Sequence, residues 1–158
     1  MSELLDKILH KDNMNEAYKK VCANKGAGGV DGVSTEELGE YIKAHWPTIK
    51  EQILRREYKP QPVRRVEIPK PNGGKRKLGI PTAMDRVIQQ AIVQVIGPIC
   101  DPHFSEFSYG FRPNRSCEMA IRKVLEYLNE DYTWIVDIDL EKFFDNVPQD
   151  RLMSYVHI

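Results

Sequence analysis

The stretch RVEIPKPNGGKRKLGIP, residues 65–81, decides how the chain is read. Val66 and Ile68 alternate with polar neighbours on one arm, Leu78 and Ile80 do so on the other, and PKPNGG lies between them. Period-two alternation about a glycine-rich turn predicts a β-hairpin. Lys70, Lys75, Arg76 and Lys77 crowd its tip, and Arg64 and Arg65 stand at its base. Lysine on an edge strand can simply guard against aggregation. That accounts for one or two of these cations and less well for the whole cluster.

Outside the hairpin the apolar residues recur at helical spacing. Upstream, Leu4, Leu5, Ile8 and Leu9 predict one helix, and Met14, Ala17, Tyr18 and Val21 predict a second that Asp12 or Asn13 could cap. NKGAGGVDG, residues 24–32, must be a loop, and it matches neither the nucleotide-binding loop nor the dinucleotide fingerprint. Ser34 with Glu37 forms a capping box ahead of Leu38, Tyr41 and Ile42. Pro47 is expected to start a further helix that turns Ile49, Ile53 and Leu54 inward. KPQPV, residues 59–63, is extended because its prolines forbid helix. Downstream, Thr82 and Asp85 cap a helix with a stripe running from Met84 through Val87, Ile88, Ala91, Ile92, Val95 and Ile96 to Ile99. Gly97 and Pro98 loosen its end, and Ser116 caps a helix carrying Ala120, Ile121, Val124, Leu125 and Leu128. Helices beside a small antiparallel sheet make the fold class α+β.

Net charge is zero over 158 residues, yet the charges are segregated. Arg55 to Lys77 carries nine basic residues against Glu57 and Glu67, a net +7, so the remainder carries −7. Glu130, Asp131, Asp137, Asp139, Glu141 and Asp145 concentrate much of the negative charge. Such polarity suits a polyanion at one surface and a divalent metal at another, and two solvated faces of opposite sign would look the same. Cys22, Cys100 and Cys117 form no CxxC pair, and His10, His45, His103 and His157 have no ligand spacing. Neither a disulfide framework nor a zinc site is expected, which points to a reduced, cytoplasmic protein. No apolar run is long enough to cross a bilayer, and MSELLDKILHKD is too polar for a secretory signal.

In WIVDIDLEKFFDN, residues 134–146, alternation predicts a strand with Trp134, Val136 and Ile138 on one face and Ile135, Asp137 and Asp139 on the other. The two aspartates would stand about 6.5–7 Å apart along it. An acid at a strand end can reach a hard cation such as magnesium, and it can equally cap the following turn. HFSEFSYGFRPNRS, residues 103–116, combines aromatic rings with Arg112 and Arg115. This composition stacks on bases and pairs with phosphates, and it also makes a well-packed loop.

Four blocks, in order, resemble the N-terminal part of a group II intron reverse transcriptase, or maturase. They are NKGAGGVDGVS, RRVEIPKPNGGKRKLGIPTAMDRVIQQAI, FSEFSYGFRPNRSCEMAI and WIVDIDLEKFFDNVPQDRL, and together they cover nearly the whole chain. The resemblance implies a right-hand polymerase: an N-terminal helical extension and the start of the fingers over 1–58, fingers over 59–133, and the first palm strand and helix over 134–158. It makes Asp139 a catalytic ligand of Mg2+ in two-metal nucleotidyl transfer. Lys70 and Arg76 would fold over the triphosphate, Arg76 gripping it with a planar fork and Lys70 as a point charge. Leu140 and Glu141 would lie beside the triphosphate. Phe144 would fill the space of a ribose 2′-hydroxyl and so favour deoxynucleotides. Tyr109 to Asn114 would line the template path, with Arg112 and Arg115 on template backbone, while Asp137 and Asp145 would support or cap. Arg64, Arg65, Lys75 and Lys77 are the candidates for RNA contact.

The family's second acidic motif, an aromatic residue followed by Ala-Asp-Asp, does not occur in the sequence. The expectation is therefore a fingers and partial-palm piece that does not polymerise unaided, within an RNA-directed DNA polymerase. Implied partners are group II intron RNA, an RNA template, a DNA primer and dNTP, with no membrane. Two further readings stay open: a non-catalytic RNA-binding maturase module, and a homodimer formed through an apolar palm surface.

Overall fold

The computed structural model describes residues 3–71 and 73–156. Asn72 of the hairpin turn, His157 and the side chain of Asp145 lie outside the described part. The residues fall into two compact units, Met1–Ser105 and Glu106–Ile158.

In the first unit, α1 (Glu3–Ile8), α2 (Lys11–Ala23), α3 (Leu38–Leu54) and α4 (Ala83–Cys100) surround one core. Ile8, Leu9, Met14, Ala17, Val21, Leu38, Ile49, Ala83, Met84, Val87 and Ala91 are buried in it. Ala17 and Ala91 have no exposed surface, which lets the α2 and α4 backbones pack closely. A polar clasp fixes that packing: Asn13 Nδ2 donates to the Ala91 carbonyl at 3.0 Å, and Gln94 Nε2 donates to Asn13 Oδ1 at 2.8 Å. The expected α4 stripe is buried at Met84, Val87 and Ala91, whereas Ile92 and Ile99 are exposed.

Both capping patterns form. Ser34 Oγ accepts from the Glu37 amide at 3.2 Å and Glu37 Oε2 accepts from the Ser34 amide at 3.0 Å. Thr82 Oγ1 accepts from the Asp85 amide at 3.1 Å. Three boundaries differ from expectation. His10, whose Nδ1 accepts from the Asp12 amide, caps α2 in place of Asp12 or Asn13. Pro47 lies inside the single helix α3 and does not open a new one. Leu38, Ile42, Trp46, Ile49 and Ile53 recur every three or four residues through it, so packing of one unbroken stripe outweighs the lost hydrogen bond. Gly97 and Pro98 likewise fall within α4, which runs on to Cys100 and a 3-10 turn, Asp101–His103.

β1 (Arg64–Pro69) and β2 (Lys75–Ile80) form the antiparallel hairpin, with Val66 opposite Leu78 and Ile68 opposite Arg76. The Lys70 amide donates to the Gly74 carbonyl at 2.6 Å, and Gly73 turns the chain at a φ of 82° that a side chain would disfavour. The α+β class stands, with one correction: among the described residues no helix packs on either strand, and the helices pack on one another. The apolar face of the hairpin holds Arg64 and Arg76 beside Val66, Ile68, Leu78 and Ile80, too much charge for a helix to bury. The position 58/59, expected to separate two segments, falls inside this unit, where Tyr58 and Gln61 are both tied to Asp85 on α4.

The second unit holds α5 (Cys117–Asn129), the short α6 (Phe143–Asn146) and α7 (Gln149–Val156). Ser116 caps α5 through the Met119 amide at 3.3 Å. None of the described residues of this unit is buried; Ile121, Val124, Leu125 and Leu128 of α5 are all exposed. The strand expected at 134–139 is not present. That segment pairs with no described strand, and Trp134, Val136 and Ile138 are 94%, 81% and 82% exposed. A strand exists only through its ladder, and the alternating pattern supplies a face to bury without supplying the partner.

Candidate functional site

The register divides the basic hairpin into two faces. Side chains alternate along a strand and opposed residues share a face. Arg64 and Arg76 therefore accompany the apolar Val66, Ile68, Leu78 and Ile80, whereas Arg65, Lys75 and Lys77 surround Glu67 on the reverse side. Lys75 Nζ pairs with Glu67 Oε2 at 2.8 Å, and both groups are well exposed, so the pair is weak and leaves the face net positive. Lys70 sits where β1 enters the turn. In the sequence these cations form one cluster. The fold sets Arg64 apart from the other hairpin candidates for RNA contact and places it on the face that carries Arg76.

The base of the hairpin is anchored by a buried carboxylate. Asp85 is 3% exposed, and its oxygens accept from Tyr58 Oη at 2.6 Å, Thr82 Oγ1 at 2.7 Å and the Gln61 amide at 3.1 Å. Burial, followed by the hydrogen bond to Asp85, pushes the Tyr58 phenol well above its usual range. Residues 58–61 are thus fixed to the start of α4 immediately before the strands begin. The sequence alone assigns Asp85 only a capping role. Its link to Tyr58 spans 27 residues and leaves no periodic signal.

The glycine-rich loop is pressed against the same end of α4. A side chain at Gly29 would put its Cβ 2.6 Å from Thr82 Cα, so the close approach requires glycine there. Arg86 Nη2 donates to the Ala27 carbonyl at 2.9 Å and clasps the loop from the other side. Arg86 also escapes a sequence reading, since it stands as a lone cation between buried Asp85 and Val87.

In the second unit Asp139 is exposed, outside any strand. Its Oδ1 accepts from the adjacent Leu140 amide at 2.9 Å. Glu141 Oε1 lies 3.5 Å from Lys142 Nζ, and its carbonyl accepts from Asn146 Nδ2 at 3.0 Å. Lys142 turns the chain at a φ of 48°, after which the Phe143 and Phe144 rings meet edge to face at 5.4 Å. Phe144 is 92% exposed. No group of three or more potential metal ligands occurs among the described residues. Asp139 fits magnesium as one oxygen donor, since such sites combine one or two carboxylates with water and substrate phosphates.

The two arginines of the aromatic loop fold back upon it. Arg112 Nη1 donates to the Ser108 carbonyl and Arg115 Nη1 to the Glu106 carbonyl, both at 3.1 Å. The Arg115 guanidinium also lies 5.6 Å from the Tyr109 ring centre. Each side chain thereby shapes its loop, and Phe111 is left fully exposed. A cavity of about 760 Å³ runs between α2 and α3 and contains none of the predicted site residues. No described helix is long and apolar enough to cross a membrane.

Comparison with known proteins agrees with the four sequence blocks. A family described as reverse transcriptase (RNA-dependent DNA polymerase) matches residues 68–157. Protein YkfC of Escherichia coli K12 is 37% identical over 99% of this chain, and the group II intron-encoded protein LtrA of Lactococcus lactis is 35% identical over 96%. The mitochondrial nuclear intron maturase 1 of Arabidopsis thaliana is 30% identical over 47% of the chain. The match spans 42% of YkfC and 25% of LtrA. The family match takes in Lys70, Arg76, Asp139 and Phe144 together, and the intron-encoded relatives bear out the resemblance drawn from the motifs, so the chain belongs to the reverse transcriptase family.

Proposed function

We propose that the chain forms the fingers and the beginning of the palm of an RNA-directed DNA polymerase encoded by a group II intron. The family match from Ile68 to His157 carries this reading, because it joins the basic hairpin and the Asp139 segment in one family pattern. The relatives are longer, so the activity is placed in a polypeptide of their length, in which further acidic groups join Asp139.

Each candidate residue then has a task. The apolar hairpin face, with Arg76 and with Lys70 at its turn, receives the triphosphate of a dNTP. The opposite face, with Arg65, Lys75 and Lys77, meets RNA phosphates, as does Arg64 at the base of the hairpin. Arg112 and Arg115 stiffen the template loop through their carbonyl bonds, and that loop lies along the template backbone. Asp139 supplies one oxygen ligand to Mg2+, while the Leu140 amide holds its other oxygen in place. Glu141 lies beside the nucleotide, and the open Phe144 ring excludes a 2′-hydroxyl by bulk. When bound, the metal would polarise phosphate oxygens and lower the barrier to attack by the primer. The same proposal places the protein in the cytoplasm, away from any membrane, and includes self-association through exposed apolar groups such as Trp134 and Val136.

A second reading is a maturase function in which the same phosphate contacts fold intron RNA without DNA synthesis. The relatives named as intron maturases favour it. Primer extension by a polypeptide of the relatives' length, with dNTP and Mg2+ on an RNA template, tests the first reading. Extension that depends on the RNA template and the metal supports it. Tight RNA binding without any extension leaves the maturase reading in its place.

A further inference from the structure

Arg86 satisfies one donor on the Ala27 carbonyl, while its Nε is shut away from solvent without a hydrogen-bond partner. A buried donor left in this state is a cost that a bound acceptor would remove. Beside it opens a cavity of about 270 Å³, lined by Val21 and Asn24 at the end of α2 and by Arg86, Gln89, Gln90 and Val93 of α4. Val93 is 60% exposed, an apolar surface facing water next to three amide side chains.

The lining narrows the ligand. A simple anion would use the guanidinium and leave the valines and amide carbonyls idle. An apolar ligand would strand the guanidinium and the amides. A carboxylate is absent from the lining, so no cation is invited. A nucleobase matches each part: its flat faces lie against valine, its edge carries both donors and acceptors for Asn and Gln, and its carbonyl or phosphate oxygens suit arginine. The base has to be unpaired, because pairing occupies that edge and a duplex is too wide for the space.

We propose that this cavity receives a single unpaired nucleotide of the RNA that the protein binds, a proposal that rests on the RNA-binding reading above. The site lies on the same helix whose first turn holds the glycine loop and the base of the hairpin. RNA captured there is registered against both elements.

Fluorescence anisotropy tests this with two labelled RNA hairpins, one fully paired and one with a single bulged nucleotide, and with free AMP, GMP, CMP and UMP as competitors. The native protein is expected to favour the bulged RNA by about tenfold, the size of effect that one base contact produces. The double variant Gln89→Ala, Val93→Ser, at exposed positions that leave folding intact, should bring the preference to within about twofold while affinity for paired RNA holds. Arg86→Gln should do the same, with thermal unfolding recorded to separate loss of the loop clasp from loss of the ligand. Equal affinity for both RNAs, or a preference that survives in the double variant, overturns the proposal and leaves RNA binding by the hairpin standing. Competition by free nucleotides that the double variant abolishes, with no bulge preference, assigns the cavity to soluble nucleotide and also overturns it. Failure to bind either RNA removes this proposal and the functional reading together.

Discussion

Replacing Asp85 with alanine removes the acceptor for the Tyr58 hydroxyl, the Thr82 hydroxyl and the Gln61 amide in one step. The site is 3% exposed, so water replaces few of these bonds without rearrangement. Stranding a buried donor costs about 1–3 kcal/mol, and Tyr58 and Gln61 can partly reach solvent, so a total of about 3 kcal/mol is expected. Urea denaturation followed by circular dichroism reads this directly as a lower midpoint at unchanged slope. Asp85→Asn, which keeps one carbonyl acceptor, should lose less, about 1–2 kcal/mol. A double-mutant cycle with Tyr58→Phe should return a coupling of about 1.5–3 kcal/mol, the range for a hydrogen bond to a charged group. Asp85→Ala within about 0.5 kcal/mol of the native protein would refute the reasoning, since that is the scatter of ordinary surface changes. Hydrogen exchange adds a spatial reading: protection should fall first around residues 58–61 and the strand ends, because that carboxylate secures them to α4.

Other expectations follow from individual interactions. Tyr58 holds its proton more tightly when folded than unfolded, so its contribution is fully present below pH 10, the ordinary phenol value, and is lost as pH rises toward the higher folded value. Tyr58→Phe should flatten that alkaline loss, which titrated denaturation curves measure. Gly29→Ala forces a methyl against the Thr82 backbone and should cost about 1–3 kcal/mol in thermal unfolding, as overpacking does. Neutralising Arg65, Lys75 and Lys77 should weaken RNA binding and flatten its salt dependence, by about 0.7–0.9 in the log–log slope for each phosphate no longer neutralised, with filter binding as the assay. An unchanged slope would show that this face does not meet RNA.

The legible parts of this fold are local. Two capping patterns, Ser34 with Glu37 and Thr82 with Asp85, lie within four residues and form as the sequence predicts. Alternation about PKPNGG is enough to place the hairpin, but dividing its cations between two faces needs the register, which turn geometry sets. Pro47 misleads because a local rule against proline in helices loses to one continuous buried stripe. WIVDIDL misleads for the opposite reason: its pattern is that of a strand, and a strand depends on a partner that its own residues do not specify. The links from Asp85 to Tyr58 and from Arg86 to Ala27 join residues 27 and 59 positions apart, and only the folded chain displays them. The roles assigned to Asp139, Phe144 and Arg76 rest on four blocks occurring in order, a signal that survives where secondary structure cannot be read.

The central claim is that Asp139 serves nucleotidyl transfer and that RNA is held elsewhere. The most direct measurement pairs primer extension with RNA affinity for a native polypeptide of the relatives' length and its Asp139→Ala variant. Extension should fall by about a thousandfold or more, as expected for a lost metal ligand, with RNA affinity unchanged within about twofold. Extension at the native rate, or RNA affinity that collapses along with it, would contradict the account.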